Sequence, residues 1–244
     1  DPTTALPVGF FVTSQLGDIR KSWFGQPTDR YGHGVLGDAI EGGSLVVEDA
    51  EGGILEFTLP ESQVFEDITP RIHDLDFDGA NEVVTIRASQ TGGAAVVVYG
   101  IRDGALVEIA ASAENGQRNR WLNIAGILPE PDQHRSAIYF IRTPHINGRL
   151  NALVVGQNAI EDTDLRMNDF SNHVIGSRVL DLSSFKVGNN PQLFIPSQDR
   201  RSLREALGSN QKIALPGRIN KSVITLDKSL VTATEDGRLL VIFD

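Results

Sequence analysis

The chain of 244 residues has no cysteine, which excludes disulfides and thiolate chemistry. No apolar run is long enough to span a bilayer as a helix, so no transmembrane segment is expected. Aromatic residues make up only 7 % of the chain, with two Trp and three Tyr. That is too few for the stacking platforms that hold sugars or single-stranded nucleic acid. Positive charge is also short: 22 Lys and Arg face 32 Asp and Glu, for a net charge of −10. A phosphate-binding surface needs the opposite field, which argues against nucleic acid and anionic membranes as partners. The small cluster of Arg200, Arg201 and Arg204 does not reverse this.

The usual signatures of catalysis are missing as well. None of the five histidines (His33, His73, His134, His145 and His173) forms a close ligand pair. There is no Gly-x-Ser-x-Gly elbow, and Gly42-Gly43 and Gly92-Gly93 lack the strand–turn–helix context of a phosphate loop. Glu161-Asp162-Thr163-Asp164 has three acids but no glycine bend or closing carboxylate, so it reads as a solvated acidic turn. An acid–base site is conceivable only if the fold gathers His33, Asp38, Glu41 and Arg71 at one place. No catalytic residue is assigned from the sequence.

What is present is Asp74-Leu75-Asp76-Phe77-Asp78-Gly79-Ala80-Asn81-Glu82, followed at once by the apolar run Val83-Val84-Thr85-Ile86. Alternate spacing lets a tight loop turn Asp74, Asp76 and Asp78 onto one point. Gly79 allows the bend needed to offer the Ala80 carbonyl, and Glu82 closes the cage. Hard oxygen donors without nitrogen or sulfur suit Ca²⁺. An EF-hand opens in the same way but needs a carboxylate at loop position twelve and helices on both flanks. Here position twelve is Thr85 in a β-branched run, and Pro70 makes the preceding segment extended. The spacing therefore predicts a strand–loop–strand site for one Ca²⁺.

This loop resembles the calcium loop of FG-GAP and VCBS-type repeats, the β-propeller blades also found in integrin α-subunits. The resemblance is confined to about twenty residues. It implies that the loop joins the first two strands of a blade, with Asp74, Asp76, Asp78, the carbonyl of Ala80 and Glu82 as ligands. The other blade starts, at Asp38 and Glu41, at Pro129 to His134, at Asp181 to Lys186 and at Asp227, depart from that pattern and are not expected to bind calcium.

Short β-rich segments separated by Gly, Asn and Asp recur along the chain. The first unit runs through Gly34–Leu36, Ser44–Val47 and Gly53–Thr58, and the second through Arg71–Ile72, Glu82–Ile86, Ala94–Val98 and Leu106–Ile109. The third comprises Leu122–Gly126, Ala137–Ile141 and Leu150–Val155, the fourth Arg178–Leu180, Gln192–Ile195 and Lys212–Leu215. The last holds Ser222–Thr225, Leu230–Ala233 and Leu239–Phe243. First strands recur every roughly 36 to 57 residues, within reach of propeller repeats.

The expectation is an all-β, five-bladed propeller forming a single domain over 1–244. Its ring would be closed by the N-terminal strand Ile19–Phe24 completing the last blade. A short helix is expected at Ser202–Leu207. Calcium loops of this type are loaded mainly outside the cytosol, and a chain starting Asp1-Pro2-Thr3 is expected to be a mature form. The sequence therefore points to a periplasmic or secreted module that binds a protein or glycan through a calcium-stapled propeller, with a polysaccharide-active enzyme or lectin as the alternative.

Overall fold

A computed structural model of the chain describes residues 6, 9–130, 134–156 and 160–243. The chain is all-β, and every regular element among these residues is a strand in an antiparallel sheet. Among the described residues no helix is long and apolar enough to cross a membrane. Two compact units form, one from Asp1–Trp121 with Val155–Ile160, the other from Leu122–Val154 with Glu161–Asp244.

The first unit holds β1 (Val12–Thr13), β2 (Ile19–Thr28), β3 (Glu41–Asp49), β4 (Ile54–Thr58), β5 (Gln63–Phe65), β6 (Arg71–His73), β7 (Glu82–Ser89), β8 (Gly93–Arg102) and β9 (Ala105–Ala111). They form one nine-stranded sheet in the order β1-β2-β3-β5-β7-β8-β9, with β4 on β3 and β6 on β7. Strand β8 is buried from Gly93 to Gly100, so its run of small and β-branched residues packs on both faces. Phe24, Phe65 and Tyr99 interlock at the centre: Phe24 stacks on Phe65 at 5.4 Å between ring centroids, and Phe65 meets Tyr99 edge-on at 5.7 Å. Edge-on and offset contacts of this kind add to the burial of the rings themselves.

The second unit holds three sheets, apart from the terminal Val155 and Ile160 of two of their strands. The first runs β10 (Leu122–Glu130), β11 (Arg135–Arg142), β12 (Gly148–Val155) and β13 (Ile160–Phe170) in sequence order. The next is β14 (Ser184–Lys186), β15 (Gln192–Pro196), β16 (Ser202–Glu205) and β17 (Lys212–Ala214), again in order. The last contains β18 (Ile224–Leu226), β19 (Ser229–Ala233) and β20 (Leu239–Phe243).

Several sequence expectations are corrected. The N-terminal strand does not complete the last sheet. Strand β2 pairs with β3 from Ile19↔Asp49 to Thr28↔Glu41, and with β1 on its other side. Sequential strands pair most readily, and here Phe24, fully buried, draws β2 into the aromatic core. Gly34–Leu36 forms a turn, Arg178–Leu180 has no regular structure, and the first strand of its sheet is β14 instead. The acids Glu161, Asp162 and Asp164 lie within strand β13, not in a turn. Their charges are met across the sheet: Glu161 by Arg135 at 3.2 Å and Asp162 by Arg142 at 2.9 Å. The expected departure at Pro131, Asp132 and Gln133 lies outside the described residues.

The helix expected over Ser202–Leu207 is strand β16 followed by a turn. Leu203, fully buried, packs with Phe194 and Leu230. Glu205 accepts hydrogen bonds from the N–H groups of Leu207, Gly208 and Ser209 at 2.6–3.1 Å. A carboxylate reaching forward onto three successive amides favours a turn, and core burial outweighs a weak helix propensity. Leu203→Ala is therefore expected to lower unfolding free energy by about 2–5 kcal/mol in urea titration. A loss below about 0.5 kcal/mol would place Leu203 on a solvated face and contradict this assignment.

Candidate metal centre

The motif forms the connection of a hairpin. Strands β6 and β7 pair through Arg71↔Val84, Ile72↔Val83 and His73↔Glu82, leaving residues 74–81 as the loop. Phe77 takes φ 56° and Gly79 φ 92°. Both left-handed turns tighten the loop, and Gly79 adopts its own without the cost a Cβ would carry. Phe77 has no such freedom, and its ring is 48 % exposed.

The loop is wound on its own amides. Asp74 accepts the Gly79 N–H at Oδ2, 3.0 Å, and Asp78 accepts the Ala80 N–H at Oδ1, 2.8 Å. At its root, Glu82 Oε2 accepts the Leu75 N–H at 3.0 Å. Asn81 ties the loop to the segment before β2. Its N–H donates to Asp18 at 2.7 Å, and its amide donates to the carbonyls of Leu16 and Ile19 at 2.6 and 3.0 Å. That approach requires glycine at position 17, where φ is 80° and a Cβ would lie 2.1 Å from the Asn81 amide nitrogen.

The fold brings together carboxylate oxygens of Asp74, Asp76 and Asp78, all within 4.8 Å of one another. Oxygens 2.3–2.6 Å from one calcium ion lie no more than about 5 Å apart, so the spacing fits. Glu82 is not part of this trio; it stands beside it at the start of β7, only 2 % exposed. Ala80 is half-buried at the end of the loop, its N–H committed to Asp78.

The polar accounting points to a cation. Asp74 Oδ1, Asp76 Oδ1 and Glu82 Oε1 are buried and accept no hydrogen bond. A buried carboxylate oxygen left so is costly. Burial, reinforced by Asp76, pushes the Glu82 carboxyl up to about 7, and burial with Asp78 raises Asp76. These groups resist ionisation together unless positive charge lies among them. Hard oxygen donors with unfilled lone pairs fit Ca²⁺.

No protein-family model matches the chain, and no curated protein matches it. Among solved structures, a similar one can be described. It is the selenomethionine-substituted virginiamycin B lyase from Staphylococcus aureus, 11 % identical, with a TM-score of 0.46 over 96 % of this chain and 68 % of that one.

A second group of charges in the first unit was only partly legible in the sequence. Asp38, Glu41 and Asp67 line a small cavity with Leu36, Ile40 and Ile68. Asp67 holds Arg71 at 2.7 Å and accepts the Thr85 hydroxyl at 3.1 Å, while the adjacent Glu66 binds His33 Nδ1 at 2.6 Å. So His33, Asp38, Glu41 and Arg71 are gathered, through Glu66-Asp67, a pair of acids the sequence did not mark. His145 and His173, far apart in sequence, also meet, Nε2 to Nδ1 at 2.9 Å. His173 gives its own Nε2–H to the Ser177 carbonyl at 2.9 Å, and burial pushes it down to about 4. It therefore stays neutral and accepts from His145.

Glu41 is 3 % exposed. Burial, then the charges of Glu66, Asp38 and Asp67, push its carboxyl up from 4.5 to about 9. A raised carboxyl pKa means that folding favours the protonated form. Its contribution is complete below pH 4.5 and is lost progressively as pH rises toward 9. Glu41→Gln is thus expected to be nearly neutral at pH 4 and to stabilise on the order of 2 kcal/mol at pH 8. Chemical unfolding at the two pH values measures it, and a variant less stable than wild type at pH 8 would overturn the assignment.

Proposed function

We propose that the protein is a calcium-binding β-propeller module that acts outside the cytosol by binding or scaffolding a protein or glycan partner. In this reading Ca²⁺ staples the β6–β7 loop through Asp74, Asp76, Asp78, the Ala80 carbonyl and Glu82. The observation that carries it is the convergence of three aspartates beside a buried glutamate, with three of their oxygens lacking any hydrogen bond. The ion would supply charge neutralisation and fix the hairpin connection. The residues themselves set the loop: Asp74 and Asp78 wind it on its amides, and Asn81 anchors it.

The propeller reading, and with it membership of the FG-GAP/VCBS type, draws on the strand grouping. If the first unit's sheet is divided at β5, meanders β2–β4 and β6–β9 join the three sheets of the second unit to give five groups. Propellers present loops at the ends of such blades as docking surfaces, an inference from fold analogy. Location in the periplasm or the secreted space follows from the abundance of calcium there.

The test is thermal unfolding after EDTA treatment, with and without millimolar Ca²⁺, and with Mg²⁺ as control. A calcium-specific rise in Tm is expected, because an ion that binds only the folded state stabilises it by mass action. Asp76→Ala is expected to lose most of that rise and to weaken calcium binding at least about tenfold. Equal melting of wild type and variant in both calcium and chelator would refute the site.

One observation favours a second reading, an enzyme or lectin acting on polysaccharide. Glu41 and Asp67 face one cavity, with His33 oriented by the buried Glu66, and paired carboxylates serve glycoside chemistry. Release of reducing sugar from a panel of polysaccharides, abolished in Glu66→Gln, would support it. The absence of turnover and of glycan binding in both proteins would leave the module reading with a protein partner.

A further inference from the structure

Strand β8 ends at Arg102, whose side chain crosses toward the root of the calcium loop. Its Nη2 lies 3.7 Å from Glu82 Oε1, the oxygen that accepts no hydrogen bond. Its Nη1 donates to the carbonyl of Ile101 at 2.9 Å, an exposed contact. The Arg102 side chain is 45 % exposed while that of Glu82 is 3 % exposed. The carboxylate is thus a fixed, buried group and the guanidinium a movable one at the surface. Arg102 also acts electrostatically on Asp76, so its charge reaches the trio as well as Glu82.

We infer that Arg102 is a built-in counter-ion that competes with the metal for the Glu82 carboxylate and thereby sets the calcium affinity of the loop. The inference rests on the calcium reading above. Glu82 is buried with one oxygen held by the Leu75 amide, so its other oxygen has two ways to be neutralised. Without metal it has the Arg102 guanidinium, at a separation too long for a hydrogen bond. With metal it has the ion, and the displaced guanidinium can turn to solvent from its exposed end of the strand. The arrangement keeps the empty loop folded and makes binding weaker than four acids alone would give.

Arginine suits this role because it remains charged at every pH at which the protein folds. A divalent and a monovalent charge about 7 Å apart in a water-like dielectric repel enough to weaken binding about fivefold to tenfold. The same charge assists the metal-free state, where the carboxylates otherwise repel one another. Its stabilising effect is therefore larger without calcium than with it.

The experiment is calorimetric titration of CaCl₂ into chelator-stripped, desalted wild type, Arg102→Gln and Arg102→Lys, with Tm measured in EDTA and in millimolar Ca²⁺. Arg102→Gln is expected to bind calcium about fivefold to tenfold more tightly, to melt lower than wild type in EDTA, and to recover part or all of that loss in calcium. Arg102→Lys, which keeps the charge, is expected to stay near wild type. Unchanged or weaker calcium binding in Arg102→Gln, or a Tm loss in calcium as large as that in EDTA, overturns the counter-ion role while wild-type binding leaves the site standing. No calcium binding by wild type overturns the site, and the inference with it.

Discussion

Negative charge is brought out of water at the root of the β6–β7 hairpin, and the local structure follows from how that charge is met. Glu82 begins the strand β7, which pairs with β5, β6 and β8, so its carboxylate cannot leave without unpicking the middle of the sheet. Three aspartates hang over it on a loop wound by its own amides. Like charges at this density are tolerated only with a compensating cation, whether a bound ion or the guanidinium of Arg102. The loop geometry, the anchoring by Asn81 and the glycine at position 17 all serve to hold those oxygens in place.

The same concern for buried charge appears elsewhere, solved in other ways. Asp67 pairs with Arg71, and Glu66, whose carboxyl burial pushes up, shares a hydrogen bond with the His33 imidazole, whereas Glu41 has no cationic partner among the described residues and favours its protonated form. At the sheet edge the answer is different again. Strand β13 is exposed along most of its length, and its acids pair with arginines from β11 and β12. Charged side chains along an exposed edge discourage pairing with another chain.

The metal motif was legible because it is local. Nine consecutive residues hold the candidate ligands and the bend, and continuous apolar, β-branched runs in β7, β8 and β20 mark their strands directly. What could not be read were features that arise between segments. The partner of β2 depends on which core Phe24 enters. Leu203 and Glu205 look helical in isolation, yet burial of the first and the forward hydrogen bonds of the second make a strand and a turn. The acids of β13 read as a loop because the arginines that answer them lie on other strands.

Composition and spacing by themselves determined an all-β chain without thiols, with one acidic loop suited to a hard cation, because β-branched runs and acid spacing are properties of neighbouring residues. Only the tertiary structure decided which strand pairs with which, that Glu82 is buried with an oxygen unfilled, that Arg102 stands beside it, and that Glu41 meets Glu66 and Asp67. Those outcomes depend on desolvation and on charges placed close together by distant parts of the chain, and a linear sequence does not carry distance.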